Sequence, residues 1–300
     1  MCRWLAYSGT PILLEELLYK PEYSLIDQSM HSRMGVETTN GDGFGVGWYG
    51  VADPAAPGPD SGAGVPVLFR GVGPAWGDVN LRELGRNISS GLFLAHIRAS
   101  TGTPVQQTNC HPFRHGRWIM VHNGVINGYE QVRRDLMLEV APEQFASIQG
   151  STDSEVLFHL ALTYGLESDP VSALERAIGF VEATAARHGI ENAIQASVGI
   201  SDGEKIWALR YSTERKSRTL FVSAEASAVK ELHIDNPRLA RLRDEDRLIV
   251  SEPLADLAGV WAEIPESTVM IIQPGPDESR PFEPRYEPAA GNGSPAMSKA

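Results

Sequence analysis

Apolar and polar positions along this chain switch between a period near two and a period near 3.6, and the switches outline its elements. Directly after Met1-Cys2, the run RWLAYSG is short, aromatic and apolar, which predicts a strand that starts at once and pins the beginning of the chain inside the fold. Residues 12–19 carry helical spacing, and YSLIDQSMHSR reads as an irregular connection bearing His31 and Arg33. In NGDGFGVGWY, Gly41, Gly43, Gly45 and Gly47 fall on alternate positions. A strand there would have one bare face, open to another backbone or to a substrate. A dinucleotide fingerprint is excluded, because Trp48-Tyr49 and a Pro/Gly/Ala-rich loop over 52–66 follow where a helix should begin. A strand around Val67–Arg70, a helix over 78–87 capped by Asp78, and a buried strand in SGLFLAHIRAST come next. TNCHPF is turn-like, and RWIMVHNG is a second apolar strand ending at Asn123-Gly124, a pair suited to a tight turn with exposed amides.

Helices are predicted over 129–140, over 153–164 with Ser151, Thr152 and Asp153 as capping residues, and over 171–187. Past them the period returns to two in IQASVGIS, KIWALRY, RTLFVSAEA, DRLIVSEP and STVMIIQP. Strands in both halves with helices between them predict an α/β (α+β) domain of two largely antiparallel sheets with helices packed outside. Proline, glycine and small polar residues dominate after Pro274. The expectation is one domain over residues 2–287 and a disordered tail over 288–300.

Composition narrows the partners. With 300 residues the chain can bury a sizeable core, and a net charge of −12 disfavours nucleic acid and anionic membrane surfaces, so a small-molecule substrate is expected. Only Cys2 and Cys110 are cysteines, which excludes a disulfide framework and suits a reducing compartment. No targeting segment and no run of about 18 apolar residues is visible, so the expected location is cytoplasmic.

Candidate chemistry sits in four polar clusters at element ends: His96-x-Arg98 with Thr101, Asn109-x-His111, His122-Asn123-Gly124, and Gly150-Ser151-Thr152-Asp153. Zinc held by Cys110, His111, His115 and His122 is disfavoured, since no pair has the usual ligand spacing and no acidic ligand is embedded. Each histidine alone reads as a buried, hydrogen-bonded core residue. By its position alone, Cys2 is only a cysteine near a terminus. Removal of Met1 would make it the first residue, with a nucleophilic thiol beside an amine that titrates at roughly 7.7–8.0.

Together with Cys2, the segments IDQSMHSR, NGDGFGVGWY, AHIRAST, TNCHPF, HNG and IQGSTDSE resemble the class II, N-terminal-nucleophile glutamine amidotransferases. Within that family they look most like the amidotransferase-like subunit of the fungal glutathione-degrading complex. They are also similar to the ergothioneine-pathway amidohydrolase, which removes a γ-glutamyl group. The resemblance implies a four-layer αββα sandwich and no cofactor or metal. It implies Cys2 as nucleophile, and Asn123 (side-chain amide) and Gly124 (backbone amide) as oxyanion donors. Arg98 and Thr101 would hold the glutamyl α-carboxylate, Asp153 the α-ammonium, and His111 and His122 would support the pocket. Arg3-Trp4 replaces the small glycine that follows the nucleophile in glutamine-fed synthases, and Ala99 replaces a tryptophan, which argues against free glutamine as preferred substrate. The expected activity is hydrolysis of a γ-glutamyl amide through a thioester on Cys2. The alternatives are a glutaminase feeding ammonia to a separate synthase subunit, and a catalytically silent binding subunit. A peptidase or synthase partner is consistent with the resemblance.

Overall fold

The structure, a computed structural model, describes residues 2–34, 39–50, 64–100, 102–224, 242–257 and 259–286. The first sheet is built around β1 (Arg3–Leu13), whose neighbours are β4 (Ser89–Ile97) and β10 (Arg247–Val250). Beyond β4 lie β2 (Phe44–Tyr49) and β3 (Pro66–Gly71), and beyond β10 lie β9 (Phe221–Ser223) and β11 (Trp261–Glu263). The second sheet runs from β5 (Phe113–His115) through β6 (Trp118–Ile126), β7 (Ile194–Ser201), β8 (Ile206–Ser212) and β12 (Thr268–Ile272) to β13 (Glu278–Pro281). Every pairing among the described strands is antiparallel.

Three apolar clusters turn these sheets into four layers. Trp4, Ala6, Leu92 and Leu94 of the first sheet pack directly on Ile119, Val121, Ile206 and Ala208 of the second. The opposite face of the first sheet, with Leu5, Tyr7, Phe93 and Val46, packs on α1 (Glu15–Leu18), α2 (Leu25–Met30) and α3 (Val79–Asn87). The outer face of the second sheet, with Met120, Val198 and Leu209, packs on α4 (Tyr129–Glu139), α6 (Asp153–Thr163) and α7 (Pro170–Arg187). A short α5 (Pro142–Phe145) joins α4 to α6. Both faces of β1 are therefore buried, which is why WLAY is apolar throughout rather than alternating. No helix among the described residues is long and apolar enough to cross a membrane.

The structure departs from the sequence reading at several places. The stretch expected as an irregular connection contains α2. Ser24 caps it by accepting the N–H of Asp27 at 3.1 Å, and Leu25 and Ile26 anchor it; Asp27, Gln28 and Ser29 had interrupted the apolar period. Residues 12–19 are not one helix, because β1 continues to Leu13 and only Glu15–Leu18 is helical. Asn123-Gly124 is not a turn. β6 runs on to Ile126 and pairs with β7, Asn123 opposite Ser197 and Gly124 opposite Ala196. Glycine is needed there for close approach, since a Cβ at position 124 would lie 1.9 Å from the carbonyl oxygen of Gln195. β9 is shorter than RTLFVSAEA. Residues 225–241, most of the 52–66 loop and the expected tail over 288–300 lie outside the described residues.

The bare glycine face of β2 is covered by the chain itself. A Cβ at Gly43 would lie 2.6 Å from Cys110 Sγ, one at Gly45 2.2 Å from the His111 carbonyl, and one at Gly47 3.2 Å from Pro112. The stripe thus seats the segment 110–112 against the inner face of the first sheet. His111 then stacks on His96 with ring centroids 4.1 Å apart.

Candidate active site

Strand alternation decides which candidate side chains can meet. Trp4 points toward the second sheet, its indole Nε1 donating to the Ser197 carbonyl at 3.2 Å and to Ser197 Oγ at 3.1 Å. Cys2, two residues earlier, is directed to the same side. On β4, Leu92, Leu94 and His96 face inward, and Arg98 follows just past the strand end. On β6, Ile119 and Val121 face inward, so Asn123 does too, opposite the Ser197 that Trp4 touches. The ends of β1, β4 and β6 therefore bring Cys2, Arg98 and Asn123 to one end of the sandwich.

Cys2 is partly buried, and its sulfur receives the N–H of Ala99 at 3.4 Å. Burial raises the thiol pKa; that N–H and the charges of Arg98 and Arg3 pull it back. Arg98 is buried, and its guanidinium donates only to neutral oxygens. These are the Asp42 carbonyl at 3.2 Å, Ser100 Oγ at 3.2 Å, Thr103 Oγ1 at 2.7 Å and the Pro104 carbonyl at 3.3 Å. No carboxylate pairs with it among the described residues, so a buried positive charge is left for a ligand to neutralise. Thr101 lies outside the described residues.

On the second sheet, the side-chain amide of buried Asn123 makes no hydrogen bond among the described residues. The ladder between β5 and β6 ends at Met120. Beyond it, the N–H of every second residue of β6 points away from β7: that of Ile126 goes to Asp153 Oδ2 at 2.8 Å, and that of Gly124 has no strand partner among the described residues. Asp153 Oδ1 accepts the N–H of Ser154 at 2.8 Å, so the carboxylate is fixed at the start of α6, and no cation pairs with it among the described residues. His122 faces outward, its Nδ1 2.8 Å from Ser154 Oγ, and its carbonyl meets His96 Nε2 at 3.2 Å. Burial pushes the pKa of His96 down to about 3, puts that of His111 well below the usual value and lowers that of His122 although Asp153 opposes it. All three rings are neutral at physiological pH. They separate the layers beneath the site without adding charge to it.

Two residues that the sequence reading left without a role hold the site together. Asp42 accepts from Arg98 through its carbonyl, donates its N–H to the Arg98 carbonyl at 3.1 Å, and binds the N–H of Ser100 at 2.8 Å. Asn109, fully buried, donates to the Pro104 carbonyl at 2.9 Å and accepts the N–H of Ser151 at 2.8 Å. It ties the loop around Arg98 to the turn that presents Asp153. Asn109 had been noticed only as part of a cluster, and nothing local marks it as a bridge. No three His, Cys, Asp or Glu side chains among the described residues converge to hold a metal ion. Cys110 instead donates its thiol to the Gly71 carbonyl at 3.3 Å.

The sequence profile for "Glutamine amidotransferases class-II" matches residues 20–290. The chain belongs to the class-II glutamine amidotransferases. It is 33% identical to "Probable glutamine amidotransferase DUG3" of Saccharomyces cerevisiae, over 91% of this chain and 82% of that protein. It is 30% identical to the "Gamma-glutamyl-hercynylcysteine sulfoxide hydrolase" of Mycobacterium tuberculosis, over 42% of this chain and 50% of that one. A solved class-II glutamine aminotransferase domain protein from Silicibacter pomeroyi superposes on this amidotransferase with a TM-score of 0.68 and 34% identity, covering 94% of this chain and all of that one. The glutamine phosphoribosylpyrophosphate amidotransferase of B. subtilis, at 15% identity and a TM-score of 0.60, covers 95% of this chain and 50% of its own. It shares the fold. The protein is thus an enzyme of the class-II amidotransferase family with the expected two-sheet architecture.

Proposed function

We propose that this enzyme hydrolyses the γ-glutamyl amide bond of a small molecule through a γ-glutamyl thioester on Cys2, and that residues 2–287 form the single domain that does so. The observation that carries the reading is the buried Arg98 guanidinium, which among the described residues meets only neutral oxygens, one residue away from the N–H directed at the Cys2 sulfur. A γ-glutamyl amide offers one α-carboxylate, one α-ammonium and one neutral carbonyl. Arg98, with Thr101, takes the carboxylate through its planar fork, and Asp153 takes the ammonium. The names of relatives that act on γ-glutamyl compounds support the same substrate class.

Burial keeps the Cys2 thiol protonated at rest, so attack needs a base. With Met1 removed, the α-amine of Cys2 takes the thiol proton as sulfur bonds to the amide carbon. The carbonyl electron pair moves onto oxygen, where the Asn123 amide and the Gly124 N–H receive the charge. Collapse restores the carbonyl, breaks the C–N bond and sends the proton to the leaving amine. Water, deprotonated by the same amine, then adds to the thioester, and the C–S bond breaks to release glutamate and the thiol. His111 and His122, neutral and buried, support the pocket.

The test combines intact mass with turnover of glutamine, glutathione, γ-glutamylcysteine and a γ-glutamyl anilide. Loss of Met1, turnover of at least one γ-glutamyl amide other than glutamine, and loss of most turnover in Cys2→Ser are expected. Full activity with Met1 retained would sink the terminal-amine mechanism. Turnover of glutamine alone would favour the ammonia-supplying alternative, and no turnover of any substrate the silent binding subunit.

A further inference from the structure

A nucleophile at a chain terminus has a mechanical problem. It has no preceding peptide plane, so its sulfur and amine swing together about the bond between its Cα and its carbonyl carbon. The orientation of that carbonyl sets where both point, and the contacts of Ala99 with the sulfur hold only the thiol. Here the ladder of β1 with β4 begins at Arg3 opposite Ile97, and the ladder with β10 begins at Leu5, so Cys2 lies outside the paired register. What holds its carbonyl is the side chain of the next residue: Arg3 Nη1 donates to the Cys2 carbonyl at 2.8 Å.

We propose that Arg3 is a positioning residue that orients the terminal nucleophile by holding the Cys2 carbonyl, and that Glu252 and Ser32 hold Arg3 rigid for that task. The proposal rests on the reading of Cys2 as a processed nucleophile. Arg3 is only 2% exposed and Glu252 3%. Arg3 Nε donates to Glu252 Oε1 at 2.6 Å, and Nη2 meets both Ser32 Oγ and Glu252 Oε1. Glu252 is fixed in turn by the Ser32 hydroxyl at 3.0 Å, the N–H of Met34 at 3.0 Å and the N–H of Arg33 at 3.1 Å. The guanidinium is thus neutralised by a carboxylate of its own. By strand alternation it also lies on the face of β1 opposite to Trp4 and the Cys2 sulfur, so it is no second cation for the substrate. It reaches Cys2 through the carbonyl it holds, and its positive charge also favours the thiolate.

The test uses Arg3→Lys and Ser32→Ala in the full chain. A lysine keeps the charge, but a single ammonium cannot serve Glu252, Ser32 and the Cys2 carbonyl in the geometry of the fork. Three measurements are made: single-turnover acylation by a γ-glutamyl anilide, binding of a non-hydrolysable γ-glutamyl analogue, and the pH profile of Cys2 alkylation by iodoacetamide followed on its own peptide. Arg3→Lys should acylate about 10²-fold more slowly, with a smaller loss in Ser32→Ala and unchanged analogue binding in both. Cys2 alkylation should become faster and its apparent pKa fall, because a loosened Cys2 leaves the buried position that raises it. Acylation and alkylation moving in opposite directions is the signature of lost positioning. Wild-type acylation and alkylation in folded variants overturn the proposal, as does a parallel fall of acylation, analogue binding and melting temperature. If Arg3→Lys does not fold, Ser32→Ala decides. If wild-type protein forms no thioester with any γ-glutamyl compound, the functional reading fails, and the alkylation profiles alone decide the positioning role.

Discussion

Arg3 and Arg98 stand at the ends of neighbouring strands, almost equally buried at 2% and 3% exposure, and the protein treats their charges in opposite ways. Arg3, on the helix-covered face of the first sheet, is paired with Glu252. Arg98, on the face turned to the second sheet, is surrounded by the carbonyls of Asp42 and Pro104 and by the hydroxyls of Ser100 and Thr103. Burial of a charge is costly unless it is paired. A paired cation belongs to the scaffold, whereas an unpaired one held by neutral dipoles is poised for an anion that arrives with the ligand. The contrast separates what holds the nucleophile from what holds the substrate.

The largest expected effect tests this contrast directly. Arg3→Met strands the Glu252 carboxylate inside the protein and should cost about 3–5 kcal/mol of stability. Arg98→Met removes a charge with no buried partner, so it should cost distinctly less while abolishing binding of a γ-glutamyl analogue. Denaturant unfolding of the two variants beside wild type measures both, and equal losses would erase the distinction between the two sites.

Within the substrate side, Asn123→Ala should lower kcat by about 10²–10³, or roughly 2.7–4 kcal/mol, and spare affinity, because its amide has a partner only once charge develops on the substrate oxygen. Single-turnover acylation set against analogue binding reads this split. A wild-type acylation rate with a lowered melting temperature would make Asn123 a structural residue. Asp153→Asn should weaken analogue binding by about 1.5–3 kcal/mol, as expected for a lost charge-assisted hydrogen bond. Calorimetric titration checks it, and unchanged affinity would move the ammonium site elsewhere.

The most gradual effect is a pH dependence of stability in which the Arg98 side takes part. There the rings of His96, His111 and His122 are buried with pKa values pushed below the usual 6.5, His96 to about 3. Below pH 6.5 the unfolded chain binds protons on these rings that the folded chain refuses. Stability is therefore fully present above that pH and is lost as the pH falls, by about 1.4 kcal/mol per pH unit for His96 down to about pH 3, with His111 and His122 acting in the same direction. Unfolding free energies measured on either side of that boundary should show the loss, with a shallower slope in His96→Gln. A flat profile would mean that the rings take up protons in the folded state.

By itself, the sequence determined the inventory of chemistry and most of the elements. The capping Asp78 and Thr152, the apolar runs of β4, β6 and β7, and the polar clusters at their ends are local patterns, and local patterns are what backbone periodicity and capping chemistry express. Only the tertiary structure decided what each polar group is paired with. It turned the glycine stripe of β2 into a seat for residues 110–112 and kept Asn123-Gly124 inside a strand because β7 lies against it. It made Asn109 the bridge between the two halves of the site, and it neutralised Arg3 with a glutamate 249 residues away while leaving Arg98 without one among the described residues. A sequence names the charges and amides a chain carries. Whether a charge is cancelled or an amide is satisfied depends on groups that meet only when distant segments fold together, and here that difference separates the scaffold from the site.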